Sequence, residues 1–187
     1  MIDTSSHNDQ QLHWYAMWVY RSLVSPVVAI CQRDGVQTYR PMRTAECFDG
    51  TECICREEPL VANLLFVKST AAYVSRLKHD TKNRVAVYCS PGTNIPAPIS
   101  DDVMTMFMLV VKAGANRLET VEFPIDKGDK VRVLDGIFKG AEGYIRRVHG
   151  TKRLVVAVEG VVAVAVTHIP RQFLERIEPA ARHGLPA

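Results

Sequence analysis

Glycine punctuation between residues 128 and 145 constrains this chain more than any other feature. The segment reads Gly128-Asp129-Lys130-Val131-Arg132-Val133-Leu134-Asp135-Gly136-Ile137-Phe138-Lys139-Gly140-Ala141-Glu142-Gly143-Tyr144-Ile145. Val131 and Val133 flank Arg132 in the alternation of a half-buried strand. Asp135-Gly136 and Gly140 mark a tight loop, and a second alternating strand starts after Gly143. Glycine permits positive φ and close backbone approach, which a small sheet needs where it bends. The pattern stays all-β from Lys127 onward. Residues 154–158 and 161–166 are valine-rich around Glu159-Gly160, and 173–177 supply a last strand. About fifty residues make a marginal core, so a compact barrel is expected rather than an open sheet.

The first half reads differently. Residues 14–20, Trp-Tyr-Ala-Met-Trp-Val-Tyr, are aromatic and β-prone. Ser25-Pro26 predicts a helix start, and Val24, Val27, Val28 and Cys31 follow the i, i+3, i+4, i+7 spacing up to Asp34-Gly35. Strands at 43–47 and 51–56 flank Asp49-Gly50, a short hairpin signal. Residues 60–68 predict a strand, Ser69 caps a helix carrying Tyr73 and Leu77, and 85–89 predict a short strand. Ser100 caps a helix with Asp101 and Asp102 in its first turn and an expected apolar stripe of Val103, Met106, Phe107 and Val110. Met104, Met106 and Met108 are read as core filling rather than as a ligand set. The expected architecture is an α+β domain over 12–112, with helices on an antiparallel sheet, followed by a small all-β SH3-like barrel over 127–178. A linker spans 113–126, with a disordered N-terminus at 1–11 and a flexible tail at 179–187. An antiparallel sheet with helices on one side leaves its other face available to a partner.

Composition narrows the function classes. The net charge is +3, but up to Val111 there are ten basic and eleven acidic residues, and from Lys112 thirteen and nine, balances of −1 and +4. That asymmetry fits two modules. No apolar run is long enough for a membrane span and no signal segment opens the chain, so no membrane partner and a cytoplasmic location are expected. Five cysteines, at 31, 47, 53, 55 and 89, are odd in number. Cys53-x-Cys55 is too close for a zinc knuckle, so reduced thiols, no metal and no cofactor are expected. No phosphate-cradling glycine loop, nucleophile elbow or HExxH motif is present, and the six histidines are scattered. The chain is therefore not expected to be an enzyme.

The glycine-rich segment resembles the KOW motif, a binding element of SH3-like barrels. An aromatic first strand, an α+β domain of about a hundred residues, a linker and a terminal KOW barrel are together similar to the NusG family of transcription elongation factors. Trp14-Tyr15 stands where the family has its opening Trp-Tyr. Glu58-Pro59-Leu60 through Asn63-Leu64-Leu65-Phe66-Val67 resembles the family's Pro-Leu-Phe-Pro-Gly-Tyr-Val-Phe-Val segment. The likeness runs from Trp14 to Glu178. Val61-Ala62-Asn63-Leu64 departs from the usual Phe-Pro-Gly-Tyr, and with the short hairpin this looks more like the specialised RfaH and UpxY types, which serve selected operons such as those for surface polysaccharides.

The resemblance implies an antitermination factor that docks on the β′ clamp helices of RNA polymerase. The matching positions are Trp18, Val61, Leu64, Phe66 and Tyr88; the alternative for all five is a place in the core, balanced for Trp18 and favoured for Phe66. Trp14, Ala16 and Trp18 share one face of the first strand and Tyr15, Met17 and Val19 the other, so one apolar face meets the helices and the second needs another cover. Arg21 matches a basic residue near the non-template DNA strand, and Arg76, Lys78, Lys82 and Arg84 form a basic stretch suited to phosphates or to a plain solvated helix face. Ser75, Arg76 and Leu77 occupy the region that meets the polymerase β gate loop in specialised relatives, without matching its motif. Ile137, Phe138, Lys139 and Gly140 occupy the loop that binds ribosomal protein uS10 or termination factor Rho, although Phe138 also suits the end of a barrel core. Arg146, Arg147, Lys152 and Arg153 suit nascent RNA or the ribosome. Gly160 and Pro170 among β-branched residues oppose a helical alternative for the C-terminal module. A ribosome- or RNA-binding KOW protein is the competing reading, and a factor acting at all genes is a third.

Overall fold

The computed structural model of the protein describes residues 11–49, 52–82, 84–114, 118–121, 128–148, 151–166 and 169–178. The expected disordered start, apart from Gln11, and the tail at 179–187 lie outside them, as do Gly50 and most of the expected linker. The elements in chain order are β1 (His13–Val19), α1 (Val24–Arg33), β2 (Gln37–Tyr39), β3 (Met42–Asp49), β4 (Glu52–Pro59), β5 (Leu64–Ser69), α2 (Ala71–Asp80), β6 (Val85–Val87) and α3 (Asp101–Ala113). They continue as β7 (Leu118–Val121), β8 (Lys130–Val133), β9 (Glu142–Val148), β10 (Thr151–Val158), β11 (Val162–Val166) and β12 (Leu174–Glu178). The chain forms two compact units, one of residues 1–42 and 59–104, the other of 43–58 and 105–187.

The first unit is α+β. Its sheet is antiparallel in the order β2-β5-β1-β6. Tyr15, Met17 and Val19 of β1, with Leu65 and Val67 of β5 and Val85 of β6, pack against Val24, Val27 and Cys31 of α1 and Val74 and Leu77 of α2. Burial pushes the Cys31 thiol above its ordinary pKa. Helix α1 starts one residue before Ser25, after a 3₁₀ turn at Arg21–Leu23, and no side chain caps it. Ser25 and Pro26 thus sit inside its first turn, where proline costs no intrahelical bond. Thr70, not Ser69, caps α2, its hydroxyl accepting from the Tyr73 N–H at 3.2 Å. Ser69 instead ends β5, which starts at Leu64 because 60–63 form a turn closed by the Leu64 N–H to the Val61 carbonyl.

Helix α3 buries Met104, Phe107, Val110 and Val111, whereas Val103 is exposed. The stripe is thus rotated from the expected one; i, i+3, i+7 from Met104 fits a helical face as well as the series from Val103 does.

The second unit contains the β3–β4 hairpin and an antiparallel six-stranded sheet in the order β12-β8-β9-β10-β11-β7. The hairpin strands, eight residues each, are longer than expected, and Arg43 pairs with Glu58 at 2.6 Å near their base. Residues 118–121 of the expected linker form β7, paired with β11 from Leu118↔Val166 to Val121↔Ala163. Four residues are too few for a strand period to register in sequence, so the neighbouring edge, not local propensity, makes this strand. Val131, Val133, Leu154, Val156 and Val158 are buried. At Gly143, in β9, an added Cβ would lie 2.5 Å from the Val155 carbonyl oxygen and 3.0 Å from Leu154 Cδ1. Only glycine allows that approach.

Candidate functional site

The face of the first sheet opposite α1 and α2 carries the apolar residues singled out above. Antiparallel register sets Tyr39 beside Phe66 and Phe66 beside Ala16, and the Tyr88 N–H donates to the Ala16 carbonyl at 3.0 Å. Trp18 stands between Leu64 and Ala86 in the next row. Trp14, Ala16, Leu64 and Phe66 are buried, Phe66 completely. Leu64 and Phe66 are therefore core, a correction to their expected place among the partner contacts. The reason lies in their position: β5 is central in the sheet, and the Tyr39 ring lies over Phe66 with centroids 6.2 Å apart. Burial drives the Tyr39 hydroxyl up to about 12.

Trp18, Val61 and Tyr88 keep part of their surface. Trp18 is half-buried and meets Tyr20 edge-on, centroids 4.5 Å apart, while Tyr20 itself is 53% exposed. The turn bearing Val61 reaches the same sheet end, where the Val19 N–H donates to the Asn63 carbonyl at 2.8 Å. Tyr20 and Ile95, the latter 65% exposed on the loop after β6, are apolar surface that sequence reading did not select. Tyr20 was legible as the last aromatic of the first strand; Ile95 lies in a proline-glycine loop without periodicity.

The basic residues divide into two groups. Arg76 leans over the Tyr73 ring, 5.0 Å from its centroid, and lies 3.9 Å from Asp34 Oδ2. The Tyr73 hydroxyl donates to Asp34 Oδ2 at 2.9 Å, which holds the Asp34 carboxyl below its usual range. Burial, then this bond, raises the Tyr73 pKa. Arg76 thus takes part in a polar contact between α1 and α2, while its side chain stays largely exposed. Leu77 is buried in the helix-facing core, so no continuous Ser75-Arg76-Leu77 contact surface exists. Lys78, Lys82 and Arg84 are exposed along the α2–β6 turn, where Lys82 takes φ 53°. The Val19↔Val85 pairing brings Arg84 to the end of β1 that carries Tyr20 and the exposed Arg21. Apolar and basic surface therefore meet at one end of this sheet.

In the second unit, residues 134–140 form a loop closed by the Gly140 N–H to the Val133 carbonyl and the Val133 N–H to the Ala141 carbonyl, both 2.8 Å. Gly140 takes φ +86°. Phe138 turns inward and is 5% exposed, so it is core and not a partner anchor. Ile137, 57% exposed, and Leu134, 46% exposed, present the loop's apolar surface, with Lys139 beside them. On β9 and β10 the register places Arg146 opposite Arg153 and Arg147 opposite Lys152. Among the described residues no group of three or more His, Cys, Asp or Glu is placed to hold a metal, and no helix is long and apolar enough to cross a membrane.

No family model matches the sequence. Among solved structures the chain is similar to NusG of Thermotoga maritima, in a study of domain interaction in that protein: 19% identity, covering 90% of this chain and 98% of that one, with a TM-score of 0.48. It is also similar to one conformation of an MjSpt4:Spt5 complex, at 13% identity over 90% of this chain and 99% of that one, with a TM-score of 0.27.

Proposed function

We propose that this chain is a transcription elongation and antitermination factor of the NusG type, a specialised one that suppresses pausing or termination at selected operons. The observation that carries the reading is the sheet end where Trp18, Tyr20 and Val61 stay accessible beside Arg21, Lys82 and Arg84. Part-exposed aromatics beside a small apolar turn suit a helical hairpin such as the β′ clamp helices, since aromatic anchors supply most of the affinity in such grooves. The adjacent cations suit the phosphates of a nearby DNA strand. The mechanism is differential binding: a tighter hold on the closed, elongating polymerase shifts the enzyme away from its paused state without chemistry by this protein. Ile137 and Leu134 supply the apolar contact for uS10 or Rho.

A ribosome- or RNA-binding role is the second reading, for which Arg146 and Arg147 on β9 and Lys152 and Arg153 on β10 supply a cluster of cations suited to phosphates. The deciding test is binding of the full chain to core RNA polymerase, wild type against Trp18→Ala and Tyr88→Ala, with a housekeeping NusG as competitor. Saturable, competed binding that weakens about tenfold or more in Trp18→Ala is expected, as for an interface hot spot. Absence of polymerase binding by the folded protein, with salt-sensitive RNA binding in its place, would transfer the assignment to the RNA reading.

A further inference from the structure

Strand β11 reads Val162-Ala163-Val164-Ala165-Val166, the same in both directions about Val164, and all five residues are buried. One of its edges pairs with β10, where Val156↔Val164, Ala157↔Ala163 and Val158↔Val162 already match valine with valine and alanine with alanine. Its other edge pairs only with β7, the outermost strand on that side among the described residues. β7 has four residues, carries Glu119, and leaves Thr120 exposed. Leu118 anchors it, packed so closely on Gly114 that an added Cβ there would lie 2.7 Å from Leu118 Cδ2. A short, charged outermost strand is how sheets avoid pairing with other chains; a β-branched strand without charge, proline or glycine invites it.

We propose that β11 is a self-pairing edge for which β7 is the shield: once β7 leaves, β11 pairs antiparallel with β11 of a second copy about a two-fold axis at Val164. In that pairing Val162 faces Val166, Ala163 faces Ala165 and Val164 faces itself, so valines meet on one face of the joined sheet and alanines on the other. An unrelated strand would have to match this alternation, whereas a second copy does so by its sequence. A two-fold contact uses one edge from each copy and closes, which gives a dimer and not a fibre.

The test uses the full chain as wild type, Leu118→Asp and Thr120→Pro, with sedimentation velocity across a wide concentration range and hydrogen exchange read at 118–121 and 162–166. The wild type is expected to be monomeric with both segments protected. Each variant is expected to lose protection at 118–121 and to form a dimer in which 162–166 stay protected at high concentration and open on dilution. A monomeric variant whose 162–166 amides exchange freely overturns the proposal, as does open-ended association beyond the dimer. Unchanged protection in both variants, or loss of the wild-type far-UV spectrum in both, overturns it too, because β7 would then be fixed in place or integral to the sheet. A wild-type dimer with 118–121 protected would place the contact elsewhere.

Discussion

Asp34 ends α1 and accepts the Tyr73 hydroxyl from α2, so one carboxylate ties two helices together. Its depressed pKa fixes the sign of a pH effect. The folded state holds this group ionised more strongly than the unfolded chain does, so the stabilisation is complete above the ordinary carboxylate range and disappears as pH falls through the folded pKa. Asp34→Asn is expected to flatten the acid limb of a stability–pH profile measured by denaturant unfolding: it lowers stability at neutral pH and above, where the wild-type carboxylate is ionised, and changes little at low pH, where that carboxylate is protonated. Phe66 and Trp18 offer a second contrast. Phe66→Ala is expected to cost about 3–5 kcal/mol in the same assay, as for a fully buried aromatic. Trp18→Ala, at a half-exposed site, is expected to cost clearly less while removing partner affinity. Alternation along β1 placed Trp18 and Ala16 on one face and Met17 on the other, and that much was legible. The burial of Phe66 was not, because part of its surroundings is β2, a three-residue strand that sets Tyr39 beside it and whose sequence has no period.

Among the elements, the glycines of the 128–145 segment divide by mechanism. Gly143 has no room: the nearest obstacle to a side chain is backbone, the Val155 carbonyl, which cannot turn aside. Gly143→Ala is expected to cost about 2 kcal/mol through overpacking. Gly140 has open space but positive φ, so Gly140→Ala is expected to cost about 1 kcal/mol through backbone strain alone. Thermal unfolding of the two variants would separate them, since the backbone clash at Gly143 should lower the midpoint further than the strain at Gly140. Both roles were readable from the spacing of the glycines between alternating strands. The rotation of α3 was not, since Met104 and Val103 are both apolar and the helix period admits either face. The β7 strand was not legible for a different reason: its partner edge lies more than forty residues away in sequence.

For the whole molecule, the N-terminal α+β region and the C-terminal all-β sheet were legible because their hydrophobic periods differ, and the charge division between the halves ran parallel to that difference. What sequence could not supply was the meeting of apolar and basic surface at one end of the first sheet. That end is assembled by the Val19↔Val85 pairing, which joins segments far apart in the chain. Its consequence is kinetic. Cations at the rim of an apolar contact accelerate encounter, whereas the lifetime of the complex follows from the desolvated anchors. Raising the ionic strength should therefore slow association with a polyanionic partner complex and leave its dissociation rate nearly constant. Trp18→Ala should do the reverse. Arg21, Lys82 and Arg84 would then set how quickly a passing target is found, and the tryptophan how long it is kept.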